Sequence, residues 1–181
     1  MDLVDLITRH TPVDGDEAAH LVAIRSLVVS ACADARRRTH YDPGHLTASA
    51  FVLTPARSRV LLVHHAKLGI WVQPGGHLEP EDESAEAAAR REVEEEAGLT
   101  GLASLGLLDV DVHDIPARGD EPAHLHHDLR FGFVAPSSAV TIGDGVTEAR
   151  WVSLDDLGGL PVDPGVRRAA AKLRSAGSAT R

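Results

Sequence analysis

The sequence is poor in aromatic residues, which make up 3% of its 181 residues. Because 43% of the residues are hydrophobic, the core must consist mostly of Leu, Val, Ala and Ile. The chain has a single cysteine, Cys32, which excludes an internal disulfide framework and which we expect to be a small buried residue. A chain of this length suits one domain with some elaboration.

Long apolar runs and excess positive charge are also missing. No stretch of about 18 apolar residues occurs, so we expect no membrane span. The N-terminal MDLVDLITRH carries acids where a secretory signal has bases, which leads us to expect a cytoplasmic protein. The formal net charge of -9 argues against a general nucleic-acid binder. An acidic protein can still bind anionic diphosphates when divalent cations screen the site.

The stretch from Gln73 to Leu99, QPGGHLEPEDESAEAAARREVEEEAGL, joins two glycines, an acidic turn and a helix that ends in glutamates. At about 100° per residue, the side chains of Glu95 and Glu96 lie about 60° and 40° to either side of Glu92, so three carboxylates share one face. Glu94 points to the opposite, solvated face. Like charges held so close repel each other, and a divalent cation such as Mg2+, which prefers oxygen ligands, would remove that repulsion.

A bare run of glutamates is more often a solvated surface, but the spacing from the glycines to Arg91 favours a metal site. The stretch resembles the signature of the Nudix hydrolases: Gly, five residues, Glu, seven residues, then Arg-Glu-apolar-x-Glu-Glu-x-Gly-apolar. Glu83 and the run 91–99 match this signature without a gap. Six residues separate Gly76 from Glu83 where the signature has five, and we interpret the extra residue as a loop insertion.

The Nudix resemblance implies a role for each matched residue. Three carboxylates would be catalytic and would bind Mg2+ or Mn2+: Glu92, Glu95 and Glu96. Gly75 would offer a backbone carbonyl to the same metal. Glu83 and Arg91 would form the ion pair that ties the loop to the helix, and Gly76 and Gly98 would be structural glycines of the motif. The QPGGH sequence around the glycine pair looks like that of a bacterial subgroup of the family.

The order of the predicted elements indicates a mixed α/β protein. The pattern predicts helices over 2–10, 16–37 and 166–174, a hairpin of strands 45–54 and 59–65, and a second hairpin of strands 104–113 and 124–134. The arginines at 36–38 could contact phosphate, but we favour their interpretation as the solvated end of the second helix. The resemblance implies a Nudix-type α/β/α sandwich with a mixed sheet over residues 41–181, preceded by an N-terminal helical extension over residues 1–40.

Polar residues alternate along both strands of the second predicted hairpin. If the strands pair, Asp109, Asp111 and His113 would neighbour a polar face of the partner strand. Three alternatives stay open for this face: contact with water, a pocket in which histidines and an arginine hold phosphates or a ribose, and a separate transition-metal site. The candidates for substrate binding are His77, His124, His126, Asp128 and Arg130.

These observations predict a metal-dependent pyrophosphohydrolase whose substrate is a nucleoside diphosphate linked to another moiety. Its general base is either Glu92 or one of four groups outside the motif: Glu121, His126, Asp128 and Glu148. The alternative is a non-catalytic Nudix-like sensor that binds a nucleotide diphosphate and regulates a partner. An isomerase of allylic diphosphates is disfavoured because no cysteine lies near the motif. The resemblance also allows a homodimer.

Overall fold

The computed structural model describes residues 2–31, 33–65, 69–143, 145–159, 162 and 164–178. Cys32, which we expected to be buried, lies outside this set. Four helices and seven strands follow one another along the described chain. In order they are α1 (Leu3–Arg9), α2 (Gly15–Ala31), β1 (Gly44–Leu53), β2 (Arg59–His65), β3 (Trp71–Val72), β4 (Gly75–His77), α3 (Ala85–Ala97), β5 (Ala103–Ile115), β6 (His124–Val134), β7 (Val146–Ser153) and α4 (Pro164–Ser178).

The strands form one mixed sheet in the order β3-β2-β1-β6-β5, with β4 paired to β1 and β7 paired to β2. Both predicted hairpins are confirmed, because β1 pairs antiparallel with β2 and β5 pairs antiparallel with β6. The two hairpins join through β1 and β6, which run parallel from the pair Gly44–Leu125 to the pair Leu53–Val134. This long-range pairing places β1 at the centre of the sheet.

The sheet is covered by helices on both faces, which confirms the predicted sandwich. One face of β1 packs into a core with α2 and α3 whose members include Ile24, Leu27, Leu46, Ala48, Ala89 and Val93. The other face packs, at the end of β1, against α4 through residues that include Phe51, Leu53, Val166 and Ala170. On that second face the first half of β1 is polar, with His45, Thr47 and Ser49 all buried. The sheet therefore holds a buried polar zone next to an apolar one.

The N-terminal helices contribute to the same core as the sheet. Ile24 and Leu27 of α2 are at most 1% exposed, and Glu17 is fully buried. The Glu17 carboxylate accepts hydrogen bonds from the backbone N–H of Val13 and from the side chain of Lys172 on α4. The domain division at residue 40 stays a prediction, but these contacts anchor the extension to the rest of the chain.

The second helix is shorter than predicted. The sequence predicted a helix over 16–37, whereas α2 ends at Ala31 and a separate 3-10 helix follows at Asp34–Arg36. Arg37 then turns extended, and its N–H donates to the carbonyl of Asp34. Arg36 is thus the last residue of this short helix, and the other two arginines follow it. Among the described residues, none of the helices has the length and apolarity needed to cross a lipid bilayer.

Candidate active site

Helix α3 presents the motif glutamates, and both of its ends are fixed by the sequence. The side chain of Ser84 accepts a hydrogen bond from the N–H of Ala87 at 3.1 Å, which caps the first turn. Gly98 ends the helix in the left-handed region with φ of 65°, where glycine carries no steric penalty. Val93 is fully buried against the sheet. These constraints fix which face carries the carboxylates.

The glycine pair of β4 lies close to both α3 and β1. The N–H of Gly75 donates to Oε2 of Glu96 at 3.3 Å. A Cβ at Gly76 would lie 2.4 Å from Oε1 of Glu92, and one at Gly75 would lie 2.4 Å from Cβ of Ser49. Gly75 therefore requires glycine, because the close atoms belong to the Cβ and backbone of β1, whereas at Gly76 the close atom is at the flexible end of the Glu92 side chain. The carbonyl of Gly75 as a metal ligand stays a prediction.

Three glutamates converge beside the glycine pair, as the helical angles indicated. Glu96 is 9% exposed, the Glu92 side chain is 14% exposed, and Glu95 lies at the rim with a side chain that is 51% exposed. Glu94 is exposed on the opposite face. Burial, followed by the charges of Glu92 and Glu95, raises the pKa of Glu96 to about 7, and burial also raises the pKa of Glu92.

Burial is the main cause of both raised pKa values, and the negative charges of neighbouring glutamates add to it. A divalent cation would offset the mutual repulsion, and the set of carboxylate oxygens suits a hard ion such as Mg2+ or Mn2+. The residues present therefore fit the metal that the sequence motif implies. Glu92, Glu95 and Glu96 would hold it.

The ion pair between loop and helix involves Asp82, so the predicted pairing of Arg91 with Glu83 is wrong. Nε and Nη2 of Arg91 donate to the two oxygens of Asp82 at 3.2 and 3.0 Å, and Nη2 also donates to the carbonyl of His77 at 2.9 Å. Glu83 is exposed. Five residues separate Gly76 from Asp82, which is the spacing of the signature. The extra residue therefore follows the acid, and this count could have identified Asp82 from the sequence.

A cleft of about 700 Å³ borders Glu92, and its lining also includes Gly76 and His77. The arginines at 36–38, for which the sequence favoured a solvated helix end over contact with phosphate, line the same cleft. Arg37 and Arg38 are largely solvated, but they line the same cleft as Glu92. Sequence reasoning considered a contact of these arginines with phosphate and favoured the solvated helix end, because no local pattern shows where they lie in the fold.

The polar face of the second hairpin contains an internal ion-pair network. As predicted, Asp109, Asp111 and His113 lie directly opposite Arg130, Asp128 and His126. Arg130 is 2% exposed, and it donates from Nε to Asp128 at 2.9 Å and from Nη2 to Asp111 at 3.0 Å.

The partners of Asp128 lie inside the protein as well. Its carboxylate accepts hydrogen bonds from the hydroxyls of Thr47 and Ser49 at 3.1 and 2.7 Å, and it is 3% exposed. Arg168 of α4 joins the network through Asp109, with both bonds at 2.9 Å. Asp128 and Arg130, suggested as substrate contacts, are thus engaged in joining β1, β5, β6 and α4.

Five histidines cluster at the other end of the same polar face. Neighbouring ring centroids lie 4.8 to 5.5 Å apart in the group formed by His45, His77, His113, His124 and His126. Burial is the main cause that lowers the pKa of His45 and of His77 to about 4 and that of His126 to about 2, and neighbouring histidines add to the effect. These three rings are therefore uncharged at neutral pH.

The candidate general bases outside the motif occupy different surroundings. Glu121 accepts a hydrogen bond from Arg38 at 2.9 Å, which places it next to a residue of the cleft. Glu148 pairs with Arg150 at 2.6 Å on the exposed part of β7. His126 belongs to the histidine cluster, and Asp128 is buried in the ion-pair network. Glu121, through its hydrogen bond from Arg38, and His126, whose ring centroid lies 5.2 Å from that of His77, each contact a residue of the cleft.

Comparison with known proteins agrees with this geometry. A family model described as the NUDIX domain matches residues 43–173. The chain belongs to the NUDIX domain family. A Bacillus subtilis (strain 168) protein named "Putative 8-oxo-dGTP diphosphatase" is 34% identical over 108 residues, which cover 59% of this chain and 66% of that protein. The match thus spans just under two thirds of the relative's length.

Solved structures share the fold. A NUDIX-family hydrolase from Clostridium perfringens is 25% identical and superimposes with a TM-score of 0.54, covering 72% of this chain and 96% of that one. The NUDIX domain of Shewanella oneidensis NrtR, solved in complex with ADP ribose, is 22% identical with a TM-score of 0.54, covering 72% and 86% of the two chains. The predicted fold is therefore confirmed.

Proposed function

We propose that this protein is a metal-dependent hydrolase that cleaves the diphosphate anhydride of a nucleoside diphosphate linked to another moiety. The observation that carries the proposal is the placement of Glu92 and Glu96 against the glycine pair, with Glu95 on the same face of α3, at a cleft that Glu92 and the arginines at 36–38 both line. Acidic groups that bind a cation and basic groups that bind phosphate oxygens are the two requirements of a metal-diphosphate site.

Each group has a role that follows from its position. Mg2+ or Mn2+, when bound by the three glutamates, supplies neutralisation of the phosphate charge and activation of water. Arg37 and Arg38 attract and orient the phosphate oxygens at the cleft rim. Arg91 holds the glycine loop against α3 through Asp82 and the carbonyl of His77, and so keeps the glutamates aligned with the cleft.

The reaction breaks one P–O bond. A water oxygen attacks phosphorus, the bridging oxygen leaves with the second phosphate, and the proton of the water passes to a carboxylate base. Glu92 lines the cleft, and Glu121 is joined to it through Arg38, so these two groups are the candidates for the base. If Glu121 is the base, Glu121→Gln lowers kcat while leaving the affinity for metal unchanged. If Glu92 is the base, Glu121→Gln leaves kcat near the wild-type value.

The substrate class is tested with a panel of phosphoanhydrides. The panel contains nucleoside triphosphates and 8-oxo-dGTP, because of the Bacillus subtilis relative, and ADP ribose, because of the ligand of the NrtR domain. It also contains a dinucleoside polyphosphate and a sugar nucleotide. Each compound is incubated with Mg2+, with Mn2+ or with EDTA, and the products are separated by chromatography.

Hydrolysis of at least one compound, with metal and not with EDTA, is the expected result. Tight binding of one compound without hydrolysis of any would overturn the enzyme proposal and favour a nucleotide-diphosphate sensor. A cytoplasmic location and a homodimeric state stay predictions.

A further inference from the structure

Three histidines from three different strands place ring nitrogens close to one another. His45 of β1 lies opposite His126 of β6 in the parallel register, and His77 of β4 pairs beside Thr47 of β1. One nitrogen from each of these rings lies within 4.8 Å of the other two. The sheet hydrogen bonds of β1, β4 and β6 hold the backbones that carry them, so the cluster is part of the fold and not a chance surface grouping.

The hydrogen bonding of His45 leaves one nitrogen ready to bind a ligand. Its ring is 1% exposed, and Nδ1 lies 3.2 Å from the carbonyl oxygen of His40. Because a carbonyl oxygen only accepts, Nδ1 carries the proton and Nε2 keeps its lone pair. Nε2 is buried and has no hydrogen-bond partner within the described part of the chain. A histidine whose second nitrogen donates to a backbone carbonyl is the usual arrangement at metal sites.

A neighbouring histidine, His124, is also oriented by a hydrogen bond to a backbone carbonyl. Nδ1 of His124 lies 2.8 Å from the carbonyl oxygen of Pro122, and the His124 ring stacks on His45 with centroids 4.9 Å apart. His113 is oriented by Asp111 in a similar way, with 3.2 Å between Nδ1 and the carboxylate. The three convergent rings are therefore surrounded by others that hold them in place.

We propose that His45, His77 and His126 bind one transition-metal ion of the zinc class, at a centre separate from the glutamates of α3. Imidazole nitrogens suit zinc, cobalt, nickel or copper, whereas Mg2+ prefers oxygen ligands. A tetrahedral ion with bonds of about 2.0 Å needs ligand nitrogens about 3.3 Å apart, so the rings have to turn inwards from their present separation. Three protein ligands leave a fourth position for water or a substrate oxygen.

The position of this site connects it to the cleft. His77 lines the cleft, and it follows Gly76, whose backbone lies against Glu92. An ion held by His77 would therefore border the substrate cleft without sharing ligands with the glutamate centre. The inference goes beyond the proposed hydrolase activity, because a nitrogen site for a softer ion is not needed to bind Mg2+.

The test uses the full-length protein, stripped of metal with a chelator and kept in excess Mg2+ so that the glutamate centre is occupied. Zn2+ is titrated by calorimetry, and Co2+ is titrated by visible absorption, which reports tetrahedral coordination. The expected result is one Zn2+ bound per chain with micromolar or tighter affinity, and an intense tetrahedral Co2+ spectrum. Absence of stoichiometric Zn2+ binding by the wild-type protein would overturn the proposal.

Variants locate the ion. His126→Gln and His77→Gln are expected to weaken Zn2+ binding at least about tenfold and to abolish the Co2+ spectrum. Circular dichroism checks that both variants fold. These two positions are chosen because their side chains are partly exposed, whereas substitution of the buried His45 would be harder to separate from loss of folding. The matched control is His64→Gln on β2, whose ring contacts Thr147 at 2.8 Å and Trp71, and which should bind Zn2+ as the wild type does.

Two outcomes would contradict the assignment. Unchanged Zn2+ affinity in both His126→Gln and His77→Gln would remove the histidines as ligands. Loss of Zn2+ binding in Glu95→Gln to the same extent as in His126→Gln would place the ion at the glutamate centre instead. Because every readout is metal binding and not turnover, a failure here is distinguishable from a failure of the hydrolase proposal.

Discussion

Replacing Asp82 with asparagine tests which acid pairs with Arg91, because the structure shows Asp82 in that position and the sequence motif assigns it to Glu83. Asp82 accepts two hydrogen bonds from Arg91 and one from the N–H of Glu79 at 2.8 Å, and its side chain is 7% exposed. Asparagine keeps the shape of the side chain but removes the charge. Breaking a fully buried pair costs about 3–5 kcal/mol.

The expected loss in the free energy of unfolding for Asp82→Asn is smaller than about 3–5 kcal/mol. Arg91 is 22% exposed and keeps its contact with the Glu92 carboxylate at 2.9 Å, so it is not left uncompensated. Loss of charge assistance from two hydrogen bonds then lowers the free energy of unfolding by about 2 kcal/mol. Glu83→Gln, the matched control, changes an exposed side chain and should stay within about 0.5 kcal/mol of the wild type.

The assay is urea unfolding followed by circular dichroism, repeated over a range of pH. Burial alone would raise the pKa of Asp82, but the hydrogen bonds from Arg91 lower it below its ordinary value of 3.8. The stabilisation is thus present above that value and is lost as pH falls through the lower folded pKa. The difference between wild type and Asp82→Asn should be constant near neutrality and shrink below about pH 4. A larger loss for Glu83→Gln than for Asp82→Asn would refute the reasoning.

Three further predictions concern the cleft, the ion-pair network and the histidines. Arg37→Gln should raise KM for the hydrolysed compound several-fold with little effect on kcat, whereas Arg57→Gln in the β1–β2 turn should change neither in steady-state kinetics. Asp109→Asn removes a fully buried negative charge and should lower the free energy of unfolding by about 3–5 kcal/mol. Asp114→Asn, at an exposed position of the same strand, should have a small effect. Thermal unfolding compares the two variants. Burial lowers the pKa of His126 to about 2 in the folded protein, so as pH falls below about 6.5 this side chain is protonated in the unfolded chain first. The metal-free wild type should therefore lose stability as pH falls below that value. His126→Gln should lose stability less steeply over the same range.

Local patterns were sufficient to predict most of the elements. The alternation along 104–113 and 124–134 predicted both strands and the meeting of their polar faces, because a hairpin brings sequence neighbours together. The helical period placed Glu92, Glu95 and Glu96 on one face of α3. These features depend on distances of a few residues along the chain, which a single sequence records directly.

Long-range packing accounts for what the sequence did not predict. The parallel pairing of β1 with β6 joins residues about 80 positions apart and brings His45 to His126, yet no local pattern marks it. The arginines at 36–38 line the cleft from beyond the end of α2, and no local pattern places that segment beside the glycine pair. Asp82 was missed for a different reason, since counting five residues from Gly76 would have identified it.

The most direct test of the central claim compares Glu96→Gln with Glu94→Gln, two substitutions of the same chemistry two residues apart on α3. Glu96 is buried beside the N–H of Gly75, whereas Glu94 is exposed on the other face. With the compound that the wild type hydrolyses best, Mg2+-dependent turnover should fall at least about tenfold in Glu96→Gln and stay near the wild-type value in Glu94→Gln. Near-normal turnover in Glu96→Gln, with the protein folded, would contradict a metal-diphosphate site on this face of the helix.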